Sequence, residues 1–231
     1  MKEKFIALRH NAACFVMQWI TRLVALVLVR PKMTWASPKA KADFPKGPCV
    51  IISNHVRGED SGPIETLLHH KHFYGMMAMD VMDASKFLTW FLHYMPIIRI
   101  DRRHASLSWL REGRKKLREG YSIYMCPEGH TNEDRVISTF KPGFVTLAAL
   151  EKVPVVPIYH NGEFNYCHGK RFQFIVGEPI HLTLPAEGLT DEFMRTEAAR
   201  AEAIVRTLEK QLLGFHRVRQ AADQPTITQQ V

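Results

Sequence analysis

Gly47-Pro48-Cys49-Val50-Ile51-Ile52-Ser53-Asn54-His55 sets four consecutive apolar residues between a Gly-Pro turn and a polar segment. A short apolar run bounded in this way predicts a buried strand over 49–53, so that His55 emerges where the strand ends. In open α/β sheets the strand ends are where ligands and chemistry collect. Five residues further on stands Asp60, in Arg57-Gly58-Glu59-Asp60. On an unbroken helix the two side chains would point about 140° apart, so they meet only if the chain turns between them. Gly58 tolerates the backbone angles such a turn needs. A carboxylate held against an imidazole fixes its tautomer and leaves the other nitrogen as a general base, with a reference pKa of about 6.5. The same residues also read as a surface histidine in a polar loop, and the rest of the chain has to decide.

Outward from this strand, short apolar runs alternate with helical patterns, the signature of an α/β sheet. Strands are predicted at 49–53, 73–79, 96–100, 121–126, 154–159 and 171–176, with helices at 61–71, 84–94, 105–119, 141–151 and 191–213. In the last helix Thr190 is placed to cap, Asp191 and Glu192 occupy the first turn, Ile204, Val205, Leu208 and Leu212 form an apolar stripe, and Gly214 is placed to end it. The polar residues beyond carry no pattern and predict a disordered tail. The expected organisation is a membrane-associating helix over 1–32, a linker rich in Pro and Lys over 33–48, one domain over 49–214 and a polar tail over 215–231.

The 231 residues are 46% hydrophobic, enough for one domain with a proper core. Cys14, Cys49, Cys126 and Cys167 form no C-x-x-C pair, which fits a reducing, cytosolic setting. The formal net charge is +8, and residues 1–50 hold nine lysines and arginines against Glu3 and Asp43. Such a block suits an anionic surface, nucleic acid or phospholipid headgroups. No helix-turn-helix, RRM or zinc spacing is present, so nucleic acid leaves the apolar N-terminal run unexplained. That run, from about Ala12 to Val29, is interrupted by Gln18, Thr21 and Arg22, and a central arginine makes crossing a bilayer costly. It predicts a helix lying in the membrane interface, with Trp19 at headgroup depth and Arg9, Arg30 and Lys32 meeting lipid phosphates. A signal peptide fits less well, because Arg30-Pro31-Lys32 offers no small-residue cleavage site. A helix packed on the domain is the third reading.

Arg111, Arg114, Lys115, Lys116 and Arg118 crowd the C-terminal end of the 105–119 helix. They read as a solvated face favoured by the helix dipole, or as a second contact with anionic lipid. His69, His70 and His72 do not make a metal cluster, since adjacent helical histidines diverge and no further ligand lies at suitable spacing. Three further stretches fall at strand ends or loops. Pro96-Ile97-Ile98-Arg99-Ile100-Asp101-Arg102-Arg103 ends a strand with guanidinium groups suited to phosphate. Met125-Cys126-Pro127-Glu128-Gly129-His130-Thr131 ends another, and Phe140-Lys141-Pro142-Gly143-Phe144 opens a helix whose free N–H groups suit an anion. Val153-Pro154-Val155-Val156-Pro157-Ile158-Tyr159 is an apolar strand bracketed by prolines.

With these motifs quoted, the chain resembles the glycerolipid acyltransferases, the family of bacterial 1-acylglycerol-3-phosphate acyltransferases. Asn54-His55 with Asp60 is similar to the family's H-x4-D motif. Ile100-Asp101-Arg102, Pro127-Glu128-Gly129 and Val153 to Tyr159 resemble its second, third and fourth motifs, in order. Phe140-Lys141-x-Gly143 and Val176-Gly177-Glu178-Pro179-Ile180 resemble the segments that follow the third and fourth. The resemblance implies a mixed, largely parallel central sheet flanked by helices. It also implies transfer of a fatty acyl group from acyl-CoA or acyl carrier protein to the free hydroxyl of a lysolipid such as 1-acylglycerol-3-phosphate. No cofactor and no metal are implied, and the setting is the cytoplasmic face of the inner membrane. His55 would be the base and Asp60 its orienting partner. Glu128 and Gly129 would position the acceptor, and Arg102, with Arg99 or Arg103, would bind its phosphate. N–H groups of the loop after His55 are candidate oxyanion donors.

Two departures stand out. Where the family usually reads Glu-Gly-Thr-Arg, this chain has Glu128-Gly129-His130-Thr131, so the arginine commonly assigned to the acceptor phosphate is missing. Either Lys141 or Arg135 substitutes, or the acceptor has a larger or amino-acid-based head, or the chain is an inactive lipid-binding relative. Arg57 stands where a small polar residue is usual, and its charge should disfavour a protonated His55.

Overall fold

The computed structural model describes residues 2–68, 70, 72–82, 85–101, 107–164, 166 and 171–222. Among them seven strands form one sheet: β1 (Lys32–Trp35), β2 (Val50–Ser53), β3 (Phe73–Ala78), β4 (Ile97–Ile100), β5 (Ser122–Met125), β6 (Val155–His160) and β7 (Gln173–Val176). Their spatial order is β1-β7-β6-β2-β5-β3-β4. The apolar run that opened the argument is the central strand β2, all of it buried, parallel to β5 on one side and β6 on the other. β3 and β4 extend the parallel part, while β7 runs antiparallel to β6 and β1 parallel to β7. All six predicted strands are present, and the sheet is mixed and largely parallel as expected.

β1 is the exception, for it lies largely in the stretch read as a linker. Lys32-Met33-Thr34-Trp35 has no apolar run, and all four residues are only half-buried. Pairing with β7, from Lys32 opposite Gln173 to Trp35 opposite Val176, makes it an edge strand. The same stretch holds a short helix, α2 (Pro38–Ala42), whose Ser37 hydroxyl accepts the Ala40 N–H at 3.0 Å. A Ser cap followed by Pro at the first helical position is a legible start signal.

Consecutive β2 residues feed opposite cores, as the two-residue period of a strand requires. Val50 and Ile52 join the cluster built with α6 (Ser108–Arg118), α7 (Gly143–Glu151) and α8 (Asp191–Ala222). Ile51, with Cys49 just before the strand, joins the cluster of Ile64, Leu68, Phe73, Tyr124 and Phe172 on the side of α3 (Ser61–Leu67). Two short helices, α4 (Met79–Met82) and α5 (Lys86–Leu92), link β3 to β4. In α8, Thr190 caps through its hydroxyl to the Phe193 N–H at 3.2 Å, and Ala198, Ala201, Val205, Leu208 and Leu212 form the buried stripe. The helix does not end at Gly214 but runs on to Ala222. A glycine inside a helix costs only about 1 kcal/mol, which the residues around it absorb. The tail beyond Ala222 lies outside the described residues.

The N-terminal helix α1 (Lys2–Val24) falls within the 1–32 stretch expected to be helical and continues as a π-helical turn, Ala25–Val29, closed by the Arg30 N–H on the Ala25 carbonyl at 3.0 Å. Its junction packs on α3, with Ala25 and Val29 buried. Phe15, Trp19, Leu23 and Val27, four residues apart, are 63%, 53%, 63% and 60% exposed, so a whole apolar stripe faces outward. Among the described residues no helix is long and apolar enough to cross a membrane. On α6, Arg114 and Arg118 both engage Glu151, at 2.5 and 2.8 Å, and Lys116 pairs with Glu119 at 2.9 Å. These cations are thereby spent within the domain, which favours the solvated-face reading over a lipid contact.

Candidate active site

Because β2, β5 and β6 are parallel neighbours, their C-terminal ends share one edge of the sheet. That edge brings together Asn54-His55, the loop from Cys126 to Thr131, and His160. His55 Nδ1 lies 3.0 Å from Asp60 Oδ2. Since a carboxylate only accepts, Nδ1 carries the proton, and Nε2 is left as the basic nitrogen. His55 retains 20% side-chain exposure while Asp60 has 1%. Both line a cavity of about 1070 Å³ whose walls include Phe73, Met76, Phe91 and Ile97. A few placed polar groups in the wall of a largely apolar pocket are the usual arrangement of a small-molecule site.

The turn that joins His55 to Asp60 is not made by Gly58, whose φ is not positive and beside which a side chain would meet open space. Asp60 itself makes it: Oδ2 also accepts the Val56 N–H at 2.7 Å and the Arg57 N–H at 2.9 Å. Those two N–H groups are therefore committed, which removes them as oxyanion donors. Gly162 completes the local packing. Its φ of +62 and the Val56 Cγ1 only 2.7 Å from where a Cβ would stand allow no other residue as the chain leaves β6.

Burial works against a charged His55, but the Cys126 sulfur and the Asp60 carboxylate beside the ring outweigh it, and its pKa is raised. The expectation drawn from Arg57 is thus reversed. The Arg57 guanidinium lies over the Phe164 ring, 5.9 Å from its centroid, and the nearer sulfur and carboxylate govern the imidazole. Burial also opposes the Asp60 carboxylate, yet the His160 and His55 imidazoles and the Arg57 N–H hold its pKa below the ordinary value. His160 is itself kept neutral by burial, so its pull is that of an N–H dipole, with His55 supplying the charge.

Glu128, expected to position the acceptor, points away from the cavity. It is 1% exposed and is absent from the cavity wall. Its Oε1 accepts the His55 backbone N–H at 2.8 Å, and its Oε2 accepts the Ser138 N–H at 2.7 Å and the Asn132 side-chain amide. The Asn132 N–H in turn reaches the His55 carbonyl at 2.8 Å. Glu128 therefore holds the base in place from behind, buried away from the cavity. Gly129 does line the cavity, at φ +75, and a Cβ there would stand 2.8 Å from Lys141 Nζ. Its bareness lets the exposed Lys141 lie across the loop and reach the rim.

Arg99 is exposed on β4 and does not line the cavity, while Arg102 and Arg103 lie outside the described residues. Arg135 pairs with Glu163 at 2.6 Å and is likewise off the cavity wall, so of the two proposed substitutes only Lys141 is in place. His130 is tied into its own loop, Nδ1 to the Glu128 carbonyl at 3.1 Å and Nε2 to the Ser138 hydroxyl at 3.2 Å. His70 packs edge-on to Phe44, and among the described residues no three His, Cys, Asp or Glu side chains converge as a metal site. Sequence reasoning missed Cys126 and His160. The signal for both was present, since each stands at the end of a strand parallel to β2.

The chain is similar to several known proteins. The chain is 31% identical over 180 residues to a 1-acyl-sn-glycerol-3-phosphate acyltransferase of Chlamydomonas reinhardtii, an alignment covering 74% of this chain and 51% of that protein. It is 27% identical over 203 residues to the enzyme of that name from Pseudomonas aeruginosa, covering 81% and 71%. A chloroplast protein of the same description from Brassica napus is 32% identical over 114 residues, covering 48% and 32%. The chain thus spans about a third to a half of the length of the plant and algal relatives. The crystal structure of the 1-acyl-sn-glycerophosphate acyltransferase of Thermotoga maritima shares the fold, with a TM-score of 0.60 at 18% identity, over 90% of this chain and 88% of that one. The model of the family described as Acyltransferase matches residues 29–161, more than half of the 231, and takes in His55, Asp60 and the motif loops, so the chain belongs to the Acyltransferase family.

Proposed function

We propose that this protein moves a fatty acyl group from a thioester donor, acyl-CoA or acyl carrier protein, to the free hydroxyl of a lysolipid, in the first instance 1-acylglycerol-3-phosphate. The observation that carries the proposal is the His55–Asp60 pair, 3.0 Å apart, in the wall of a largely apolar cavity of about 1070 Å³. His55 Nε2 takes the proton of the acceptor hydroxyl as its oxygen attacks the thioester carbonyl, and Asp60 stabilises the imidazolium that forms. The carbon–sulfur bond then breaks, and the proton on Nε2 passes to the leaving thiolate. Lys141, exposed at the rim, offers a cation to the acceptor's phosphate. The outward apolar stripe of α1 and the basic N-terminal charge support a reading in which the chain works on a phospholipid surface, at the cytoplasmic face of the membrane.

Purified protein given an acyl thioester should convert 1-acylglycerol-3-phosphate to the diacyl product. His55→Ala should lower that rate about 10²–10⁴-fold with little change in unfolding temperature. Undiminished transfer by His55→Ala would sink the assignment. Transfer only to lysolipids with larger or amino-acid-based heads would redirect the acceptor, and acyl release without any acceptor would identify a thioesterase.

A further inference from the structure

The peptide bond that carries the base is gripped at both of its polar atoms. Glu128 takes the His55 N–H, and the carbonyl of Asn54 is met by His160 Nε2 at 2.8 Å. A carbonyl only accepts, so Nε2 bears a proton. The same nitrogen lies 3.5 Å from Asp60 Oδ2, the oxygen that receives the His55 Nδ1 proton. Asp60 therefore sits between two imidazoles. The Asn54 side chain closes the arrangement: its amide nitrogen donates to the His160 carbonyl at 3.0 Å, and its oxygen accepts the His160 N–H at 2.9 Å. The ends of β2 and β6 are locked by this reciprocal pair.

His160 has no exposure and stacks on Phe172 with centroids 5.1 Å apart. Its Nδ1 is buried without a partner. An apolar side chain would pack against Phe172 without that cost, so packing alone does not account for an imidazole here. The Nε2–H does. It is absent from the cavity wall and so touches no substrate. From this we infer that His160 is a positioning residue of the acyl-transfer site, its Nε2–H fixing the Asn54–His55 peptide while the edge of its ring packs against the Asp60 carboxylate. The inference rests on the reading of His55 as the base. Its effect on transfer is through geometry, because a shift of about 1 Å in a catalytic group can cost about 10²-fold in rate. The other ionisable groups facing this cluster are Cys126, Tyr124 and Glu128, and all three are retained in the variants below.

Three substitutions separate the possibilities. The amide nitrogen of His160→Gln stands near the position of Nε2, that of His160→Asn near Nδ1, and His160→Leu supplies no donor. The readouts are unfolding temperature, kcat and KM for donor and acceptor, the pH dependence of kcat/KM, and the titration of the His55 ring followed by NMR of histidine-labelled full chain in detergent micelles. Leu and Asn should lower kcat about 10–100-fold with KM within about threefold of wild type. The acid limb of the pH profile and the His55 titration should both move to lower pH, because Asp60 no longer sits squarely on Nδ1. Gln should restore kcat to within about threefold and return the titration to the wild-type value. The inference is overturned if the Leu and Asn variants titrate and turn over like wild type, or if Gln falls with them in step with the unfolding temperature. Should Leu fail to fold, the contrast between Gln and Asn decides. If the wild-type protein transfers no acyl group, the proposed function fails, and the His55 titration still tests His160.

Discussion

Asp60 carries every contact on one oxygen. Oδ2 receives His55 Nδ1–H, the Val56 and Arg57 N–H groups and the edge of His160, while Oδ1 is buried without a hydrogen-bond partner. Such a loaded acceptor has to be a carboxylate, so Asp60→Asn should misalign His55 and cut kcat by about 10³–10⁴-fold, measured at saturating substrate. The raised pKa of His55 sets the direction of the pH profile. Only the neutral imidazole can take a proton, so kcat/KM should climb with pH through a midpoint above the ordinary value of about 6.5. Cys126→Ala removes a group that favours the imidazolium and should carry that midpoint to lower pH, which a pH–rate comparison of the two proteins would detect. Glu128 makes a different prediction. In Glu128→Gln one oxygen becomes an N–H₂ group facing a donor, the N–H of His55 or of Ser138, and a buried unmet donor costs about 1–3 kcal/mol. Thermal unfolding should show that loss, and kcat should fall with it because the His55 backbone is released.

The elements around the site divide into those that build it and those that deliver substrate to it. On the proposed function the outward stripe of α1 belongs to the second group. Replacing Phe15, Trp19 and Leu23 by Ser should abolish co-sedimentation with anionic vesicles yet leave transfer to detergent-dispersed lysolipid intact, since none of the three lines the cavity. Retained vesicle binding would move the contact elsewhere on the chain. On α3, Glu65 lines the cavity, and burial raises its pKa to about 7 against the opposing charge of Arg22. Between about pH 4.5 and 7 the native state therefore holds a proton that the unfolded chain has lost, and stability must fall as pH rises across that window. Glu65→Gln should remove this slope, raising the unfolding temperature at pH 8 by the equivalent of at most about 3 kcal/mol and changing little at pH 4. Unfolding scans of both proteins at the two pH values make the comparison.

At the scale of the whole molecule, the site exists because three parallel strands end together and α8 covers the sheet behind them. Leu212 is the last described buried residue of α8. A chain stopped after Gly214 should keep its unfolding temperature within about 2 °C, whereas one stopped after Ile204 loses Val205, Leu208 and Leu212, each worth about 2–5 kcal/mol, and should not fold. Much of this was legible beforehand. The Cys49–Ile52 run, the capped α8 and the motif order disclosed the α/β class, the strands and the His55–Asp60 pair, because apolar periodicity and turn residues are local properties of the chain. The edge strand β1 was not legible, since Lys32-Met33-Thr34-Trp35 becomes a strand only by pairing with residues about 140 positions away. Nor were the duties of Glu128 and His160. By itself the sequence determined which residue types stand at the strand ends. Only the tertiary structure decided that Glu128 spends its oxygens on backbone N–H groups, that Arg135 is drawn off to Glu163, and that His160 closes on Asn54 and Asp60. The reason is physical: a hydrogen bond is assigned by distance and direction in space, and the parallel register of β2, β5 and β6 brings together residues that lie 73 and 106 positions apart in the chain.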